Sequence, residues 1–141
     1  MTEGVATLVR IYRTRLNDAR RALAELNREQ NAILGERARL LDEYHAEKLF
    51  AATSLEAGTA FVAYYGAMQE RQKAMGFLLD DVERRMGEAN DHIATIFREL
   101  KKYEITAEQR ALEKAREAAR REQLELDELG LEIYRRRVSK R

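Results

Sequence analysis

No proline occurs anywhere in this sequence of 141 residues. Proline is the residue that most reliably ends a helix, because it lacks an N–H and its ring collides with the preceding turn. Its absence leaves nothing that must interrupt a helix. The residues that dominate instead (Ala, Leu, Glu, Arg, Lys and Gln) are those that cost least in a helix interior. Charged residues make up 36% of the chain and aromatics 7%, too polar for a thick core but suited to long helices joined along one narrow apolar seam. An elongated or bundled all-α protein of one domain is the expectation.

The apolar residues confirm a seam by their spacing. Tyr12, Leu16, Ala19, Leu23, Leu26, Gln30, Ile33, Arg37, Leu40 and Tyr44 follow one another at alternating steps of four and three. A second run does the same through Phe61, Tyr65, Met68, Gln72, Met75, Leu79, Val82, Met86, Ala89, Ile93, Ile96, Leu100, Tyr103 and Ala107. Sustained alternation of this kind is the signature of a coiled coil. Gln30, Arg37 and Gln72 are polar seam positions that could set register, or simply solvated positions.

Between the runs lies "FAATSLEAGTAF", residues 50–61, where small and turn-forming residues gather. Thr53 and Glu56 have capping-box spacing, Thr59 is an alternative N-cap, and Gly58 can take a positive φ. The chain should reverse here, giving helix 1 over about 5–50, a turn over about 51–60 and helix 2 over about 61–137, followed by a basic C-terminal tail. The fold class is therefore all-α, a long antiparallel two-helix coiled-coil hairpin.

Beyond Ala107 a small-residue face (Ala111, Ala115, Ala118, Ala119) carries little buryable area, so this stretch should rest on propensity and on charge pairs among Glu113, Glu117, Arg116 and Arg120. Then leucines crowd together in "EQLELDELGLEIYRRR", residues 122–137. Leu126, Leu129 and Ile133 keep a seam spacing and are expected to pack on Val5, Leu8 and Tyr12. Leu124 and Leu131 fall off that line and, with the arginines behind them, form a candidate partner surface.

Catalytic and ligand-binding constellations are sparse. There is no cysteine, so no disulfide, thiolate metal site or thiol nucleophile is available. His45 and His92 have no second histidine three or four residues away, so no metal ligand set is expected. The glycines match no phosphate-binding loop, and carboxylates on a two-helix body lack a pocket that would make them acids or bases. Neither an enzyme nor a cofactor is expected. No apolar run is long enough to span a bilayer and the N-terminus lacks a signal-peptide order, so the chain reads as cytoplasmic without membrane insertion.

Net charge is only +1, yet residues 1–28 hold six arginines against three acids, residues 29–60 reverse that balance, and the end carries Arg135, Arg136, Arg137, Lys140 and Arg141. Basic ends suit an acidic protein partner as well as a nucleic acid, and no base-reading motif is present, so nucleic acid is not the expected partner. Around "FVAYYGAM", residues 61–68, Phe61, Tyr65 and Met68 sit on the seam and Tyr64 projects off it, near Tyr44 and Phe50. Aromatic core filling and a partner surface both account for this cluster.

These features together, namely a proline-free helical hairpin, "LLDEYHAEK" (40–48), "FVAYYGAM" after the turn, and Gln123, Asp127, Glu128 and Leu129 in the last helix, resemble the FliJ family of flagellar type III export proteins. Injectisome stalk proteins share the plan. The family often places a tryptophan after the turn, where this chain has Phe61. The resemblance implies a non-enzymatic coiled-coil stalk, similar to the gamma subunit of rotary ATP synthases, at the flagellar basal body on the inner face of the cell membrane. Its implied partners are the hexameric export ATPase, the membrane protein of the export gate, and export chaperones. Carried onto this chain, the ATPase-facing residues are Leu8, Tyr12, Gln123, Leu126, Asp127, Leu129, Ile133, Arg135, Arg136 and Arg137. The gate-facing residues are Leu41, Tyr44, Tyr64 and Met68. Scaffold coiled coils that pair between chains, and other rotary-ATPase stalks, share the same broad pattern.

Overall fold

A computed structural model describes the backbone of residues 2–140 and the side chains from residue 4 to residue 140; Arg141 of the basic terminus lies outside the described residues. Two helices make up the fold, α1 (Thr2–Ala51) and α2 (Leu55–Ser139), packed against each other as an antiparallel hairpin. Their contacts cluster into two compact units, one combining α1 up to Arg13 with α2 from Phe97 onward, the other spanning Thr14–Ile96.

The reversal takes only Ala52, Thr53 and Ser54, so α2 starts at Leu55 rather than near residue 61. Local hydrogen bonds explain the tighter turn. The Thr53 hydroxyl donates to the Phe50 carbonyl at 2.6 Å, closing the C-terminus of α1. The N-cap of α2 is Ser54, whose Oγ accepts the Ala57 N–H at 3.0 Å. That is one residue beyond the expected capping box, so Glu56 falls in the first turn, where it favours the helix dipole, and does not reach back as a box partner. Thr59 is already inside the helix, its hydroxyl donating to the Leu55 carbonyl at 3.0 Å. Gly58 likewise has an ordinary helical backbone, since no described glycine adopts positive φ.

In the unit Thr14–Ile96 the buried seam is Leu16, Ala19, Leu40, Met68, Met75, Leu79, Val82 and Ile96, with Val82 fully enclosed. Half-buried Leu23, Leu26, Gln30, Ile33, Gln72, Met86, Ala89 and Ile93 fill the positions between them, as the four-three spacing predicts. Two positions shift. Glu36 is half-buried where Arg37 was expected, and Arg37 is exposed. The exchange places the Glu36 carboxylate 3.7 Å from Arg71 on the opposite helix while Arg39 binds it from the next turn. Near the turn, Tyr64 rather than Tyr65 faces inward. Tyr64 packs with Ile33 and Tyr44 on the Leu40, Met68 and Met75 cluster. In both cases the steps of three and four swap order between seam positions that stay in place, Ile33–Glu36–Leu40 on α1 and Phe61–Tyr64–Met68 on α2, so each change is local and set by the side chains on the facing helix.

A second cross-helix bond ties the middle of this unit. Arg85 donates to Glu29 at 2.6 Å and to Asp81 at 2.9 Å. In the other unit Val5, Val9 and Leu100 are buried, and Tyr12 stacks obliquely on Tyr103 with ring centroids 5.2 Å apart. Arg13 and Lys101 both reach Glu104, at 3.4 and 3.3 Å.

The expected packing of Leu126, Leu129 and Ile133 on Val5, Leu8 and Tyr12 does not occur. Every described residue from Glu108 to Lys140 is exposed. The register explains this. With Tyr12 beside Tyr103 in an antiparallel pair, the start of α1 is level with about residue 110 of α2. An 85-residue helix paired with a 50-residue one must leave a stretch without a partner, and its C-terminal end is that stretch.

Candidate functional site

Two surfaces carry exposed apolar side chains in quantity. The first lies in the unit Thr14–Ile96, around the turn. Leu49, Phe50, Leu55 and Val62 are between 63% and 88% exposed, and Leu41 is 45% exposed. Leu55 and Val62 also line a shallow cleft with Ala51, Gly58 and Ala63. A Cβ added at Gly58, on the floor of this cleft, would meet the Ala51 carbonyl at an ordinary 3.5 Å.

The candidate gate-facing residues divide across this surface. Leu41 is exposed, whereas Met68 is 4% exposed and belongs to the buried cluster beneath, with Tyr44 and Tyr64 packed on it. Tyr44 and Phe61 are 5.9 Å apart between ring centroids, and Tyr65 lies 6.0 Å from Tyr44. Among the described residues the Tyr64 hydroxyl is buried without a hydrogen-bond partner. Its pKa is raised, first by desolvation and then by the neighbouring Glu43 and Glu47 carboxylates. Aromatics therefore form a firm base, and the accessible apolar groups are Leu41, Leu49, Phe50, Leu55 and Val62. Phe50 belongs to the aromatic cluster named from the sequence, whereas Leu49, Leu55 and Val62 carry only the signal of apolar residues off the seam near the turn.

The second surface is the unpaired end of α2. Leu124, Leu126, Leu129, Leu131, Ile133, Tyr134 and Val138 are each about half exposed or more, from 47% to 66%. At 100° per residue, Leu126, Leu129 and Ile133 occupy one side of the helix, and Leu124, Leu131 and Val138 the opposite side. Gln123, Gly130 and Tyr134 fill one arc between them, and Glu125, Glu128 and Glu132 the other. The Gln123 amide donates to Asp127 at 3.0 Å, and Arg136 to Glu132 at 2.8 Å. Arg135, Arg136 and Arg137 follow with no acid among them. Of the candidate ATPase-facing residues, this helix end brings together Gln123, Leu126, Asp127, Leu129, Ile133 and the three arginines. Leu8 and Tyr12 stand apart in the paired region, both half-buried.

In the unit that holds this helix end, Phe97, Lys101, Lys102 and Ile105 form a small aliphatic and basic patch, with the Lys101 ammonium 5.4 Å from the Phe97 ring centroid. The Glu104 carboxyl beside it is held below its usual pKa, chiefly by the Lys101 hydrogen bond. Asp81 is lowered in the same way, chiefly by Arg84. Such pairs order exposed helix faces and create no reacting group. Among the described residues no three acidic or histidine side chains gather as a metal site, and no helix is long and apolar enough to cross a membrane.

Comparison with known proteins gives these surfaces a context. The family described as "Flagellar FliJ protein" matches residues 4–139, nearly the whole chain. The chain belongs to the FliJ family. Curated FliJ-family relatives include the flagellar FliJ protein of Caulobacter vibrioides, from strains NA1000 / CB15N and ATCC 19089 / CIP 103742 / CB 15. Each is 30% identical over 132 residues, covering 93% of this chain and 94% of the relative. No solved structure matches the chain. FliJ membership makes the protein a flagellar export component and agrees with the helical hairpin seen here.

Proposed function

We propose that this FliJ-family chain is a non-enzymatic coiled-coil stalk of the flagellar export apparatus, binding the hexameric export ATPase through the unpaired end of α2. The supporting observation is that end itself, a helix with apolar side chains on opposite sides and every residue exposed from Glu108 to Lys140. A helix that is apolar on opposite sides is stable in water only on its own propensity, and it gains most when a partner encloses it from several directions. The central opening of a ring of equivalent subunits is such an enclosure. Arg135, Arg136 and Arg137 add weak, long-range attraction to acidic ring surfaces.

The turn-proximal surface is the proposed contact for the membrane protein of the export gate. Leu41 supplies it directly, while Tyr44, Tyr64 and Met68 support it from beneath. Export chaperones are further proposed partners, and the proposed location is the cytoplasmic side of the flagellar basal body, without membrane insertion or nucleic-acid binding.

The test is ATP hydrolysis by the cognate export ATPase with and without this protein. Stimulation by the wild-type chain, reduced several-fold by Leu124→Ser with Leu131→Ser, is expected. Both leucines are more than half exposed, so helicity should not change. An unchanged hydrolysis rate and unchanged ring assembly on adding the wild-type chain would defeat the proposal.

A further inference from the structure

The unpaired end of α2 has one face that continues the seam already used by α1. Leu100, Tyr103 and Ala107 lead on, at steps of three or four, through Ala111, Ala115, Ala118, Glu122, Leu126, Leu129 and Ile133. The mean step over this run is close to the natural helical period, so the positions stay on one side of a nearly straight helix. In the paired region this face is covered by the first turns of α1, where Val5 and Val9 are buried. Past about residue 110, level with the start of α1, no described residue covers it.

The residues on and beside that face are complementary to themselves when one copy is reversed. Residues 108–121 have five basic and three acidic side chains, whereas residues 122–134 have five acids and no base. Parallel pairing would lay the acidic block on the acidic block. Antiparallel pairing centred on Glu122 lays it on the basic block. It also sets the small residues Ala111, Ala115 and Ala118 against the large Ile133, Leu129 and Leu126 of the second copy. Along one edge Arg121 meets Glu125 and Lys114 meets Glu132. Existing partners are cheap to exchange, since Arg121 with Glu117 and Arg136 with Glu132 are exposed pairs within one helix. One contact is unfavourable: Glu122 meets Glu122 across the two-fold axis.

We propose that residues 111–133 of α2 pair antiparallel with the same residues of a second copy, the second copy's helix taking up the seam where α1 ends. The paired length is roughly 35 Å at about 1.5 Å per residue. A single helix face of that length falls at the small end of specific interfaces, which bury about 1,200 Å² or more in total. The dimer is therefore concentration-dependent, and it hides Leu126, Leu129 and Ile133 until a partner displaces the second copy. It uses the face opposite Leu124 and Leu131 and does not rest on ATPase binding.

Because the chain has no cysteine, single engineered cysteines report the geometry directly in the full-length protein. Under mild oxidation Glu122→Cys should form a covalent homodimer. Ala111→Cys alone should not, since its two copies would lie about 33 Å apart along the axis, but mixed with Ile133→Cys it should give the heterodimer. Sedimentation velocity should show reversible dimers. Glu122→Leu should tighten them about ten-fold or more by removing the like-charge contact, while Glu125→Arg weakens them and Arg121→Glu in the same chain restores them. A protein that stays monomeric at all accessible concentrations, or homodimers from Ala111→Cys as readily as from Glu122→Cys, would overturn the proposal. Retained ATPase stimulation by a monomeric chain would leave the export reading standing and remove only this one.

Discussion

Leu40 and Leu41 are adjacent and chemically identical, yet Leu40 is 2% exposed and Leu41 is 45% exposed. Truncating each to alanine therefore isolates what the seam contributes. Leu40 lies at the centre of a cluster with Met68 and Met75, with Ile33, Tyr44 and Tyr64 packed around it. Leu→Ala in such a site loses the transfer free energy of the removed carbons and adds a cavity term, together about 3–5 kcal/mol in a well-packed core. A two-helix seam is open at its sides and can relax, so about 3 kcal/mol is expected. That is a large share of the roughly 5–15 kcal/mol by which domains are stable. With a urea slope of about 1.5–2 kcal/mol per molar, the midpoint should fall by about 1.5–2 M. Leu41→Ala should cost less than about 1 kcal/mol, since half its surface is already in water and alanine is the better helix former. Equilibrium urea unfolding followed by far-ultraviolet circular dichroism measures both. If Leu41→Ala proves as costly as Leu40→Ala, the helix register described here is off by one residue and the reasoning fails. A gate-binding assay on the same two proteins separates roles further, because only Leu41→Ala should weaken binding without loss of stability.

Other consequences can be checked on the same chain. Ser54→Ala should destabilise by about 1 kcal/mol as a lost N-cap, and Thr59→Ala by far less, which thermal melts will distinguish. Gly58→Ala should stabilise by about 0.5–1 kcal/mol, because the backbone there is helical and an added Cβ would meet the Ala51 carbonyl at an ordinary 3.5 Å; a destabilised variant would show that the turn needs glycine. Tyr64→Phe should raise the melting temperature by a few degrees, since it removes a buried hydroxyl that has no partner. Asp81 and Glu104 have lowered folded-state pKa values, so the stability they contribute is present above the unfolded value near pH 4 and is lost as pH falls through the folded one. Melting temperature should therefore fall on acidification below about pH 4.5, and Asp81→Asn with Glu104→Gln should flatten that fall.

Much of this was legible in the residues alone. A chain without proline, rich in helix formers and carrying two runs of four-three spacing has few options besides two long helices joined by a reversal near residues 50–61. Those are local properties, decided by backbone cost and side-chain period. What the residues alone left open were quantities that depend on the second helix. Whether Glu36 or Arg37, and Tyr64 or Tyr65, turns inward differs by a single step of 100°, and only the opposing Arg71 and the Leu40 cluster decide it. The cap at Ser54 rather than Thr53 follows from where α1 releases the chain. Most consequential is the end of α2. Its leucines at seam spacing read as buried, and their exposure follows from pairing Tyr12 with Tyr103, which uses up α1 before it can reach them. Periodicity names the face of a helix that suits a partner; only the register of two unequal helices leaves about the last thirty described residues of α2 uncovered by α1.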